Sequence, residues 1–530
     1  MKKKIIGFLL AASLVLPVTD QKAEAADYVN LTATATYTGM TADIKELATK
    51  YPGLITYKSL GKSPYGRHIW AVKLGKGDAT VFYNGSHHGR EWITTNITME
   101  MLDQYANAYK NKTTFEGYNV FNLLNDVSIW FVPMVNPDGV TLQQYGPNAF
   151  PSTVRSSLIK MNNDSTNFKR WKANAQGIDP NRQYPAGWSN IEGPTSPSYK
   201  NYKGTKPLQT IENQLLYNFT YYVDPEVTIS YHSAGRILYW HYNNTPENYT
   251  RDYNMAKVFS SMTGYSLVAP APGGGGGYKD WFISAFKRPA FTPELSYAVN
   301  ETNPPLSVIP EEWRRNRKAG LYIANEGKKL WEGKLTNTNY LITKFDNTYL
   351  YDRPGTQYKT TLRFNAQPAT VIAEKGNFFR LNTVHGKKWV TKGNYVIGSV
   401  TNYSTPMPML LTEPLTLYDL PLTNKITTRT VPAGEYKAVK SYKNWYAIQT
   451  PYGVKWIQAK NVIVNYKPIA INKQINLTTV KNLYTYPLEV RKTPTVIQPG
   501  TAKATKQWKD IWYYIETPQG NGWVKEYTAQ

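Results

Sequence analysis

Residues 80–92 read Thr-Val-Phe-Tyr-Asn-Gly-Ser-His-His-Gly-Arg-Glu-Trp. Residues 80–83 form a short apolar run, which predicts a buried strand. Gly85 and Ser86 interrupt it. From Trp92 to Tyr109 the apolar residues fall at helical spacing, so a helix should follow. Folds that alternate such strands and helices place their sites where strands end and loops begin. This turn holds His88 and Glu91, three residues apart at the start of the helix. That spacing puts an imidazole and a carboxylate on one side of the turn, within reach of a single ion.

The same texture extends outward from 27 to 335. Further strands are expected at 69–74, 127–134, 227–230 and 237–240, and further helices at 40–51, 210–222 and 311–331. The alternation predicts an α/β domain with a mixed, largely parallel sheet flanked by helices. Zinc in hydrolases takes three protein ligands and leaves a fourth position for water. A third ligand should come from a distant strand end. The chain has six histidines, at 68, 87, 88, 232, 241 and 385, and His232 follows the expected strand 227–230.

At 530 residues the chain is too long for one ordinary core, and 41% hydrophobic content excludes both a disordered chain and a membrane bundle. Lys2 to Lys4, an apolar run over 5–18 and Ala23-Glu24-Ala25 make residues 1–26 a secretory signal. The run is too short for a good membrane span, and no later stretch matches it. The mature protein is therefore expected to be soluble and exported, without a transmembrane segment. The absence of cysteine suits export from a Gram-positive bacterium. The formal charge is +24, and from 341 onward roughly 25 basic side chains face 10 acidic ones. Such a surface favours polyanions. Export excludes nucleic acid and leaves wall polymers such as teichoic acid.

Beyond about 340 the helical patterns vanish and a repeat takes over. Leu350-Tyr351-Asp352-Arg353-Pro354 returns as Leu417-Tyr418-Asp419-Leu420-Pro421 and as Leu483-Tyr484-Thr485-Tyr486-Pro487, with the prolines 67 and 66 residues apart. Trp389, Trp456 and Trp523, each followed by a β-branched residue, recur 67 residues apart. Three small β-barrels are expected, at 340–400, 401–468 and 469–530. They resemble the bacterial SH3-like modules, including the GW type, that hold secreted enzymes on the cell wall. Only Gly522-Trp523 carries the Gly-Trp pair itself.

Most of 30–330 resembles the zinc carboxypeptidases of the funnelin (M14) family. His88-Gly89-Arg90-Glu91-Trp92 is similar to the family's first ligand box, Asn136-Pro137-Asp138-Gly139 to its strand-end loop, Asp179-Pro180-Asn181-Arg182 to its carboxylate-binding box, and Phe291-Thr292-Pro293-Glu294-Leu295 to its catalytic segment. His232 begins the box with the third ligand. His87 is a rival first ligand, but the family spacing selects His88. The resemblance implies a carboxypeptidase-like fold and one Zn2+ per chain on His88, Glu91 and His232. It implies Glu294 as general base, Asn181 and Arg182 as a clamp for a substrate carboxylate, and Arg90 or Lys172 as the cation near the oxyanion. An inserted loop is expected near 145–167. The family's capping tyrosine has no obvious counterpart beside the glycine run 273–277, and Tyr278 is the substitute considered.

The stretches 232–240 and 276–282 are similar to bacterial γ-D-glutamyl-diaminopimelate peptidases. That implies a substrate among peptidoglycan stem peptides, with Arg236 and Lys279 as further substrate contacts and Lys279 suited to an acidic side chain. Two other readings are an exported carboxypeptidase acting on nutrient peptides and a non-catalytic wall-binding protein.

Overall fold

The computed structural model describes residues 28–526 apart from 272 and 461. The expected export signal lies outside the described residues. The chain divides into two compact units, Met1–Leu335 and Thr336–Gln530.

The first unit opens with α1 (Tyr37–Lys50), capped by the Thr36 hydroxyl, and the strands β1 (Ile55–Lys62), β2 (His68–Gly75) and β3 (Ala79–Asn84). Then come α2 (Ile93–Lys110), a two-stranded ribbon of β4 (Thr114–Phe115) and β5 (Tyr118–Asn119), α3 (Val120–Asp126) and β6 (Val127–Val132). Helices α4 (Pro137–Tyr145) and α5 (Ser152–Met161) lead into a long irregular stretch that ends at α6 (Ile211–Val223). The unit closes with β7 (Val227–Ser230), β8 (His232–Ser233), β9 (Ile237–Tyr239), α7 (Pro246–Thr263), β10 (Ser266–Leu267), α8 (Tyr278–Phe286), β11 (Ala290–Leu295) and α9 (Ile309–Glu332).

The main sheet runs β1-β2-β6-β3-β7-β11-β9-β10, with β8 paired to β11. Its centre, β6-β3-β7-β11, is parallel, and both flanks contain antiparallel pairs. Every residue of β3 and β7 is buried, as parallel strands covered on both faces require. On one face α9 lies close against β3. Gly327 permits this, because a Cβ there would stand 2.3 Å from Val81. On the other face α6 and α8 pack Phe219, Trp281 and Phe282 against Ile69, Phe82 and Val132. The sheet is thus the middle of three layers, and its strand ends are left for chemistry.

The segment expected as an inserted loop near 145–167 is ordered instead. It contains α5, which buries Leu158 with Phe150, Phe168 and Trp171 in a small satellite core. The apolar spacing at Val154, Leu158 and Met161 encodes that helix.

The second unit consists of antiparallel sheets of seven, seven and six strands, starting at Thr336, Thr401 and Ile469. The same cross-strand pair occurs in each: Tyr351 faces Trp389, Tyr418 faces Trp456 and Tyr484 faces Trp523. All three tryptophans are buried, so the recurring residue is a packing anchor. The Gly-Trp dipeptide has a local cause, since a Cβ on Gly522 would meet Leu483 Cγ at 2.8 Å.

Candidate active site

The turn after β3 is built to hold two side chains rigidly. Ser86 takes a left-handed φ of 50°, and its hydroxyl is tied to Thr94 and Thr95 in the first turn of α2. Gly89 has no room for a side chain, as a Cβ would lie 2.5 Å from the Gly139 carbonyl. The Asn136 amide donates to the His87 and Ala173 carbonyls, and its oxygen accepts from Gly139 N–H at the start of α4. One asparagine thus joins the ligand turn, α4 and the irregular stretch.

His232 arrives from across the sheet. Strands β8 and β11 are in parallel register with His232 opposite Glu294, so those two side chains emerge side by side. Nδ1 of His88 lies 2.7 Å from Glu91 Oε1, Nδ1 of His232 lies 2.8 Å from Glu91 Oε2, and the two Nδ1 atoms are 3.2 Å apart. All three residues are buried, and their ligand atoms fall within 4.8 Å of one another. Zinc–nitrogen bonds of ~2.1 Å in a tetrahedron set neighbouring ligands ~3.4 Å apart. The observed trio is slightly tighter, and its donor set of two imidazoles and a carboxylate suits zinc.

The surroundings fix the same orientation. Asp179, fully buried, places Oδ1 3.0 Å from Nε2 of His88 and Oδ2 3.1 Å from the Lys172 ammonium. This leaves Nδ1 of His88 free to face the ion. Burial opposes charge on Asp179, but Lys172 and then His88 outweigh it and hold its carboxyl well below the usual range. Burial likewise opposes charge on Glu91, and His88 and His232 keep that carboxyl low. Glu294 goes the other way. Burial, then the Glu91 carboxylate, push its pKa well above the ordinary value, while Lys172, Arg90 and Arg182 pull it down. Two carboxyls in one site are thus pushed in opposite directions, an arrangement suited to different tasks.

His88, Glu91, His232 and Glu294 line a cleft of about 870 Å³ together with Arg90, Lys172, Asn181, Arg182 and Lys279. Residues 40–319 match the Peptidase M14 family of zinc carboxypeptidases. The chain belongs to that family. A relative, gamma-D-glutamyl-L-diamino acid endopeptidase 1 of Lysinibacillus sphaericus, is 36% identical over 292 residues, covering 54% of this chain and 71% of that protein. The uncharacterized protein YqgT of Bacillus subtilis strain 168 is 32% identical over 265 residues, 49% of this chain and 69% of its own. Among solved structures, carboxypeptidase A from Helicoverpa armigera matches with a TM-score of 0.45 at 16% identity, over 57% of this chain and 75% of that one.

For an M14 peptidase the remaining side chains take definite places. His87, the rival ligand, is turned away. Its Nε2 is 3.1 Å from the Tyr184 hydroxyl, and its ring stacks on that of His232. Burial, then His232 and His88, keep it neutral. A guanidinium N–H of Arg90 donates to the Arg170 carbonyl, and the Lys172 ammonium is bound to Asp179 and Asn201. Asn181 spends its side-chain oxygen on the Tyr278 N–H at the start of α8, and Arg182 donates to the Asn181 carbonyl.

Two expected substrate contacts are corrected. Tyr278 is fully buried, points toward α6 and hydrogen-bonds the Thr220 hydroxyl at 3.0 Å. Its position at the head of an amphipathic helix turns it into the core. Arg236 does not line the cleft. It lies in a left-handed turn (φ 50°) and clamps Glu311 and Glu312 at the start of α9.

Sequence reasoning also gave no role to Asp179 or Tyr239. Asp179 sits in the Asp-Pro that precedes the Asn-Arg clamp, which was the available signal. Tyr239 is 39% exposed, lines the cleft and feels Glu294 after burial in its raised pKa. Tyr242 lines the same cleft, so two tyrosines, neither of them Tyr278, border it. The glycine run forms a wall by main chain: Gly276 N–H donates to the Ala186 carbonyl, and Tyr184 N–H donates to the Gly276 carbonyl.

Proposed function

We propose that this M14 zinc peptidase is exported and hydrolyses the γ-D-glutamyl bond that precedes a diamino acid in peptidoglycan stem peptides. The observation that carries the reading is an intact ligand and base set in a chain 36% identical to a protein named for that bond. The cationic lining of Arg90, Lys172, Arg182 and Lys279 supports a carboxylate-rich peptide.

The chemistry follows from the placements. His88, Glu91 and His232 would hold a zinc ion, which when bound would supply a Lewis acid for the scissile carbonyl and bring the pKa of water down to about 7. Glu294, next to His232 in register, takes the proton of the attacking water and hands it to the leaving amine. The Arg182 guanidinium, a planar fork, holds the carboxylate beyond the cut. Arg90 or Lys172 answers the charge that develops on the carbonyl oxygen.

The second unit is read as the wall anchor. Its repeated sheets and its excess of lysine support non-covalent attachment to teichoic acid or peptidoglycan outside a Gram-positive cell. The test is digestion of defined muropeptides, with and without a chelator, followed by mass analysis. Release of products split at γ-D-glutamyl–diaminopimelate, reversed by chelation, is expected. Cleavage of α-linked nutrient-type peptides alone would replace this reading with that of a general carboxypeptidase.

A further inference from the structure

The main chain and the side chain of Arg236 serve two different parts of the fold. The residue sits at the corner between β8 and β9, with a left-handed φ of 50° that is uncommon for any residue with a side chain. Both strands pair with β11. His232 of β8 stands opposite Glu294, and Leu238 of β9 stands opposite Pro293, so the corner folds over the end of β11. There the Arg236 N–H donates to the Glu294 carbonyl and the Gly235 N–H to the Ser296 carbonyl, both at 2.9 Å. The backbone that carries Glu294 is thus held by this corner.

The guanidinium reaches α9 instead. Its Nε lies 2.9 Å from Glu312 Oε1, and one Nη lies 2.7 Å from Glu311 Oε2 and 2.8 Å from Glu312 Oε1. Glu312 is fully buried, and its Oε2 accepts the Tyr265 hydroxyl. A planar fork on two carboxylates fixes direction as well as distance.

Helix α9 also braces the other half of the site. The Tyr83 hydroxyl of β3 donates to the Gly320 carbonyl, and the Tyr105 hydroxyl of α2 to the Arg317 carbonyl, both at 2.6 Å. Strand β3 leads into the turn with His88 and Glu91, and α2 leads out of it. One helix therefore joins the turn that carries two ligands to the corner that carries His232 and flanks Glu294. We propose that Arg236 is a positioning residue: its clamp on Glu311 and Glu312 fixes the corner to α9, and so sets where the Glu294 carboxyl stands relative to His88, Glu91 and His232. This role rests on the reading of Glu294 as proton carrier and adds the residue that holds it in place.

The test compares Arg236→Gln, Arg236→Lys and the paired variant Arg236→Gln/Glu312→Gln. The control is Arg251→Gln, which breaks an ion pair on another buried carboxylate, Asp252 of α7. Hydrolysis of L-Ala-γ-D-Glu-meso-diaminopimelate is measured per folded, zinc-loaded molecule. Arg236→Gln should lower kcat about tenfold or more, since misplacing a reacting group by about 1 Å costs on the order of 10²-fold. KM should stay within about twofold and zinc content at the parent's value, because no ligand and no cleft cation is altered. Arg236→Lys keeps the charge without the fork and should recover part of the lost kcat. The paired variant leaves no lone charge buried, so it tests the same loss in a chain that folds if Arg236→Gln does not. Arg251→Gln should lower Tm at parental kcat. Parental kcat in the folded paired variant, a loss confined to KM or to zinc content, or an equal kcat loss in Arg251→Gln overturns the positioning role. Parental kcat in Glu294→Gln overturns the proton-carrier reading instead. If the parent cleaves α-linked but not γ-linked peptides, the γ-glutamyl reading falls, and the same ratios on an α-linked peptide decide the role of Arg236.

Discussion

The two units solve opposite problems with the same strands and turns. In the first, buried polar groups are numerous and each is individual: His88, Glu91, Asp179, Glu212 and His232 all sit below 5% exposure. In the second, the buried charged residues among the described ones are Lys344, Arg353, Arg380 and Glu526, three threonines (Thr343, Thr348 and Thr412) are buried beside them, and the rest of the core is apolar. A polar group in a core costs free energy unless it is paired, so the first unit invests stability in one site. The second repeats a tyrosine–tryptophan contact and, among the described residues, buries only a few of its many charges. The contrast places the buried polar site in the first unit.

The largest expected effect separates the units by activity. Glu294→Gln removes the proton carrier, and kcat should fall about 10²–10⁴-fold. Zinc stoichiometry by atomic absorption should stay at one, and the unfolding of the second unit should not move. A loss of zinc in this variant would reassign Glu294 from base to ligand.

Removal of zinc should divide the units by stability. At free zinc a thousandfold above Kd, ligation adds about 4 kcal/mol to the unit that binds it. Calorimetry of the full chain should show one transition falling on chelation and another unaltered. Equal shifts of both would break the division between Leu335 and Thr336.

A smaller effect is tied to pH. Burial pushes the Glu212 carboxyl from 4.5 to about 7. The folded protein keeps a proton there that the unfolded chain releases. The resulting stabilisation is complete below about pH 4.5 and lost as pH rises through about 7, some ~3 kcal/mol over the window. Glu212→Gln should flatten the pH dependence of the first unit's Tm across this range. A slope equal to that of the parent would place the titration elsewhere.

The smallest effect lies in the repeats. Lys455 and Asp419 pair at 2.6 Å with 22% and 59% exposed side chains. Asp419→Asn should change the stability of the second unit by under about 1 kcal/mol, and should leave hydrolysis of short soluble peptides alone. A larger loss in a denaturant melt would show that the pair organises its module.

Much of this contrast was legible in the sequence, for physical reasons. Apolar runs gave strands near 80–83 and 227–230 because those strands are covered on both faces, and near 69–74 because most of that strand is buried. The 67-residue period gave three sheets because each copy must bury its own tryptophan. The ligands were legible because metal chemistry demands particular atoms at a strand end. The errors concern direction and company. Arg236 was expected at the substrate through the resemblance of 232–240, but its partners, Glu311 and Glu312, lie some 75 residues away and do not show in that stretch. Tyr278 looked available because the glycines before it suggested an open site, whereas α8 rotates its ring inward onto Thr220. The helix hidden in 145–167 was missed because its apolar residues answer to Trp171 and Tyr199, not to the main sheet.

One wall of the cleft is bare backbone. Gly276 has no space for a methyl group beside Ile191, at 2.2 Å, and Gly275 none beside the Ala186 carbonyl, at 2.3 Å. That side is shaped by main chain packed against Ile191 and the Ala186 carbonyl. Tyr239 and Lys279 line the same cleft with side chains. Exchanging a side chain such as Tyr239 therefore reshapes the cleft and leaves the glycine main chain in place.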